Sequence, residues 1–155
     1  MADTIRELIQ QNIDTVLKTI QAANGYDNTM ASVQRWEQNG NSLRLVPCII
    51  QIPGIEDKKQ EPNPFTTCRL PIDIYIFMRH DKSQDSRSTD AILNSLLGDV
   101  EKALMIDHTR GGYAENTIIK SNTPLENEEG EAFCGIIIEV EIIYQHRIND
   151  PQQHT

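Results

Sequence analysis

The chain has 155 residues, 38% of them hydrophobic, and a formal net charge of −9, with a pI near 4.8 and a mean hydropathy of −0.47. That is enough chain for one domain with a real core. No run of about 18 apolar residues exists to span a membrane as a helix, and the acidic balance argues against a nucleic-acid binder, which ordinarily presents a basic patch.

The opening "MADTIRELIQ" lacks the apolar stretch of a signal peptide, so the mature chain is expected to start here and to stay in the cytoplasm. A first helix is expected over about residues 4–23. Ile5, Leu8, Ile9, Ile13, Val16, Leu17 and Ile20 form one apolar stripe, Thr4 and Glu7 have capping-box spacing with Asp3 as a second cap, and Asn24-Gly25 is a stop signal. Val33 and Trp36 give a weak strand signal. "LRLVPCIIQI" at 43–52 is a better one, with Pro47 pointing to an edge or a strand start. Residues 54–65, rich in Gly, Pro and charge, read as a long exposed loop.

The stretch "TTCRLPIDIYIFM" at 66–78 alternates cleanly. Cys68, Leu70, Ile72, Ile74, Ile76 and Met78 fall on one side, and Arg69, Asp73, Tyr75 and Phe77 on the other, as in a strand with one buried face. After a polar loop at 80–88, a second helix is expected over 88–106. Its stripe is Ile92, Leu93, Leu96, Leu97, Val100 and Leu104, with Ser88 as cap. A turn and a moderate strand follow at 111–122, the acidic "TPLENEEGEA" turns the chain, and a second long strand covers 133–146. There Ile136, Ile138, Val140, Ile142 and Tyr144 share a face opposite Gly135, Ile137, Glu139, Glu141 and Ile143. The polar tail 149–155 is expected to fray. Two striped helices and alternating strands give an α+β single domain over 1–148, a mostly antiparallel sheet of about four to five strands with both helices on one face.

Chemistry is sparse. Cys48, Cys68 and Cys134 each sit in an apolar run and read as buried reduced thiols. His80, His108, His146 and His154 are scattered with no partner at ligand spacing, and His80-Asp81 reads as a solvated loop pair. "TRGGY" at 109–113 is a tight turn with too few features for a phosphate cradle. Glu139 and Glu141 share a strand face, read as solvated or partnered across the sheet by Arg69. Trp36 and Phe65 are aromatics beside polar loops. From Ser121 to His146 there is no Lys or Arg, while Glu126, Glu128, Glu129, Glu131, Glu139 and Glu141 all fall there. No catalytic residue, metal ligand or cofactor motif is expected.

The succession of "IRELIQQNIDTVLKTI", "ANGYDNTMASVQRW", "LVPCIIQIPGIE", "LPIDIYIFM", "LLGDVEKALMIDHTRGG" and "IIIEVEIIYQHRINDP" resembles the tail terminator and minor tail (tail completion) proteins of long-tailed bacteriophages. The likeness covers nearly the whole chain and rests mostly on element order, "ANGYD" and the late "NDP". It implies a small α+β virion protein, assembled in the host cytoplasm, that closes into a hexameric ring on the tail tube. Such a ring stops tube polymerisation and offers a docking surface to the head-neck connector, with no catalysis, cofactor or membrane. DNA passes through the ring without being specifically bound. Candidate contacts to a neighbouring subunit or to the tube are Trp36, Glu56, Lys58, Lys59, Phe65, Arg69, Asp73, His80 and Asp81. Glu126, Glu128, Glu129 and Glu131 are candidates to line the channel, where like charge repels phosphate. A neck or head-completion adaptor, or a small-molecule-binding α+β domain with a polar pocket, are the other readings.

Overall fold

The computed structural model describes residues 2–36, 46–79, 86–125 and 133–154. Its frame is the pair of long strands expected from alternation, β4 (Phe65–Arg79) and β6 (Phe133–Arg147), antiparallel along their full length from Phe65↔Arg147 to Arg79↔Phe133. Even-numbered residues of β4 from Cys68 to Met78 are at most 3% exposed, and those of β6 from Cys134 to Tyr144 at most 7%. The odd-numbered residues between them are half-buried or exposed, apart from the buried Gly135. Helices α1 (Ile5–Leu17) and α2 (Thr89–Met105) lay their apolar stripes on the even face and complete one core. All three cysteines are buried thiols.

The sheet has six strands rather than four or five, in the order β1 (Ser32–Arg35), β2 (Cys48–Pro53), β4, β6, β5 (Asn116–Leu125), with β3 (Asp57–Gln60) also on β4. All pairings are antiparallel except β1 with β2. The expected loop at 54–65 is therefore largely a strand hairpin. β2 covers residues 72–77 of β4 and β3 covers 66–69, on the same edge. The partner breaks opposite Pro71, whose carbonyl accepts from Gly54 N–H at 2.8 Å. Proline has no N–H to return the bond, so the ladder is interrupted there. β5 continues through Pro124, where a turn was expected; an edge strand tolerates a missing donor.

α1 stops at Leu17, short of the expected 23, because its last turn tightens. Thr19 and Ile20 N–H groups bond to Val16 and Leu17 carbonyls, and the Thr19 hydroxyl takes Val16 O at 2.6 Å. Gly25, at φ 91°, ends a separate short 3-10 turn, Ala22–Asn24. Only half of the capping box forms: Thr4 Oγ1 accepts from Glu7 N–H at 3.1 Å, but the Glu7 carboxylate turns to Arg35 instead, at 2.7 and 2.8 Å. Those bonds hold the Glu7 carboxyl below its ordinary range and tie α1 to β1.

The "ANGYD" loop is fastened to α2 by Asp99. Its buried carboxylate accepts from Asp27 N–H (3.2 Å), Asn28 N–H (2.8 Å) and Asn28 Nδ2 (2.9 Å). The expected turn after α2 is built round Arg110, fully buried at φ 52°, which donates to Leu104 and Asp107 carbonyls and so caps the helix end. Asp107 is held at a pKa of about 2, chiefly by the Thr109 hydroxyl and then by the Thr109 and Gly111 N–H groups. The described part of the tail folds back on the domain. Pro151 O takes the Ile5 N–H at 2.9 Å and Gln153 O takes the Arg147 N–H at 3.0 Å, pinning the chain end to the start of α1.

Candidate functional site

Among the described residues, no helix lies on the second, odd-numbered face of the sheet. β4 contributes Arg69, Pro71, Asp73, Tyr75 and Phe77 to it, and β6 contributes Ile137, Glu139, Glu141 and Ile143. The surface has two ends. At one, Tyr75 and Phe77 stack with ring centroids 6.0 Å apart and planes 15° from parallel, beside the buried Cys48 and Ile50 of β2. Phe77 faces Gly135, where a Cβ would stand 2.8 Å from Ile76 O and 3.1 Å from the Phe77 ring. Glycine is needed there for the ring to lie over the strand.

At the other end the surface is charged. Arg69 Nη1 meets Glu141 Oε1 at 2.7 Å, so the expected cross-strand partnership forms, one step diagonal to the register. Asp73 lies directly opposite Glu139. Burial first, and the Glu139 charge second, raise the Asp73 carboxyl above its ordinary value. Among the described residues Glu139 finds a long contact, 3.4 Å from Ser121 Oγ. Two like charges facing each other in mid-sheet are unfavourable for folding.

The other candidate contacts are dispersed. Trp36 follows β1 at φ 46°, 56% exposed, its N–H on Gln51 O at 3.0 Å. Phe65 sits at the start of β4 beneath the Arg147 guanidinium, 5.8 Å from ring centre. Lys59 projects from β3 into solvent. Glu56 and Lys58, expected on a loop surface, instead join a polar pole of the molecule. There the Glu56 side chain is only 6% exposed and accepts from the Tyr144 hydroxyl at 2.7 Å. Arg6 and Lys58 each stand 3.5 Å from its oxygens. His80, Asp81, Glu126, Glu128, Glu129 and Glu131 lie outside the described residues.

The polar pole is the feature that sequence reasoning missed. Arg6, Glu56, Lys58 and His146 are far apart in the chain. One local signal pointed to it: His146 continues the even, inward-facing series of β6 and is 6% exposed. Its Nδ1 lies 2.7 Å from Arg147 O, which can only accept, so Nδ1 carries a proton, and its Nε2 stands 3.5 Å from Lys58 Nζ. Burial, then the hydrogen bond to Glu56, push the Tyr144 phenol far above its ordinary range, so it serves as a donor. Among the described residues, no group of three or more His, Cys, Asp or Glu side chains is arranged to hold a metal ion, and no helix is long and apolar enough to cross a membrane. No protein-family model matches this chain, and no curated protein matches it.

Proposed function

We propose that this chain is a structural assembly protein of a phage tail, a ring-forming terminator that caps the tail tube and presents a docking surface to the head-neck connector. The observation that carries the reading is the one-sided build of the sheet. Both helices are spent on the even face, and the long strands β4 and β6 turn an aromatic patch and a charged patch outward together. A monomer gains nothing from setting Asp73 against Glu139, whereas a neighbour that brings a basic group to that spot would relieve it. Heterologous contacts of one such face with a different surface of the next copy close into a ring when the rotation allows. The exposed Trp36 is a further candidate anchor. A neck or head-completion adaptor would use the same face with a different partner.

Light scattering across a concentration series, with and without polymerising tail-tube protein, tests the proposal. The expected result is a ring of about six subunits, alone or on the tube end, and tubes of arrested length. A strict monomer that leaves tube growth unchanged would overturn it. Binding to connector protein without arrest would favour the adaptor.

A further inference from the structure

The polar pole holds a half-open cavity of about 230 Å³, where the start of α1, the head of β3 and the end of β6 converge beside Pro151 of the returning tail. We infer that this cavity binds a small oxyanion, a phosphate or a carboxylate. The inference does not depend on the ring.

Two cationic side chains from two elements, Arg6 of α1 and Lys58 of β3, face one space, with the His146 ring beside Lys58. Among the described residues Glu56 is the one carboxylate lining it; it sits at the floor and is already engaged by the Tyr144 hydroxyl at 2.7 Å. Its two ion pairs are both 3.5 Å long, beyond the roughly 2.7–3.2 Å of a made N–H···O bond. Lys58 to His146 is 3.5 Å as well. The guanidinium and ammonium thus flank Glu56 without spending their donors on it, and a five-donor fork and a three-donor ammonium are left facing a cavity that holds several waters. By formal charge, Arg6 and Lys58 against Glu56 leave one positive charge in excess. The positive end of α1 points the same way, with Thr4 at the rim. In a chain of net charge −9, the cavity is a local exception. An oxyanion seated between Arg6 and Lys58 would accept the unspent donors while Glu56 continues to position both cations.

The test uses the full chain labelled with nitrogen-15. It is titrated in separate arms with inorganic phosphate and with acetate, each against sodium chloride at matched ionic strength. Saturable shifts of the Arg6, Lys58 and His146 amides are expected in at least one arm, and the better arm identifies the oxyanion class. Lys58→Gln and Arg6→Gln, at side chains 53% and 38% exposed, leave the fold intact and should each weaken binding about tenfold. Lys59→Gln, next in sequence but facing away from the cavity, should change nothing. Shifts that never saturate, that chloride reproduces, or that survive both Lys58→Gln and Arg6→Gln would overturn the site.

Discussion

The two faces of the sheet are made by the same two strands, yet they follow different rules. On the even face Ile72, Ile74, Ile76, Ile138, Val140 and Ile142 are fully buried, and both helices close over them. On the odd face Asp73, Tyr75, Ile137 and Glu141 are half-buried, and like charges stand opposite each other. The even face specifies the fold. The odd face is held in place by it and, away from the buried Cys48 and Ile50 on its β2 side, is free to carry side chains that do not help the monomer. That freedom is the physical basis for reading the odd face as a contact surface.

The largest effect should separate neighbouring residues of β4. Ile74→Ala removes a fully buried side chain and is expected to cost about 2–5 kcal/mol. Tyr75→Ala, one position on, loses a stacked ring on a half-buried face and should cost about 1 kcal/mol. Urea denaturation of both variants measures the gap. Equal costs would mean that the odd face is also core, and the comparison would fail.

A second contrast sets two aspartates against each other. Asp99 in the helical layer is 5% exposed and receives three donors, Asp27 N–H, Asn28 N–H and Asn28 Nδ2. Asp99→Asn swaps one acceptor oxygen for a donor facing donors, and the expected loss is about 1–3 kcal/mol. Hydrogen exchange should show faster opening at residues 26–30, where the loop is fastened. Unchanged exchange there would mean the loop is held by Tyr26 burial and by Lys102, whose Nζ sits 4.9 Å above the Tyr26 ring.

The parts of the fold that bury apolar side chains were open to sequence reasoning. β4, β6 and α2 fall within a residue of their expected bounds, because Ile, Leu and Val repeat with the right period and Ser88 caps α2 as its position suggests. The parts held by backbone pairing alone were not. "DKKQ" forms β3 with all four side chains exposed, so it carries no apolar alternation, and its lysines suit an edge that must not recruit other strands. The second half of β5, "SNTPL", is hidden for the same reason. The polar pole depends on the break opposite Pro71 and on the fold-back of the tail, neither of which has a periodic signature. On the odd face, Arg69 and Glu141 could be paired from their strand parities, while the opposition of Asp73 and Glu139 required the register.

The smallest effect is the most telling, because its sign is reversed. Asp73→Asn applies to the odd face the same change that harms Asp99, and it should stabilise the monomer. Removing one of two directly opposed like charges is worth about 0.5 kcal/mol, or roughly 1–2 °C in Tm for a domain of this size. Its pH dependence follows from the raised folded-state pKa of Asp73. Below the ordinary value of 3.8 the carboxyl is protonated both folded and unfolded, and it has no effect. As pH rises past that value the unfolded chain releases its proton first, so the folded state binds more protons and stability falls until the folded pKa is passed. The advantage of Asp73→Asn should therefore be absent in acid, grow through this window and stay constant above it, as thermal melts from about pH 3 to about pH 8 would show. An advantage independent of pH would mean that strand propensity, not charge, sets the difference. If the odd face is a contact surface for a basic neighbour, the same substitution should weaken assembly at neutral pH while it strengthens the monomer. The carboxylate that opposes folding would then be one that the assembly retains.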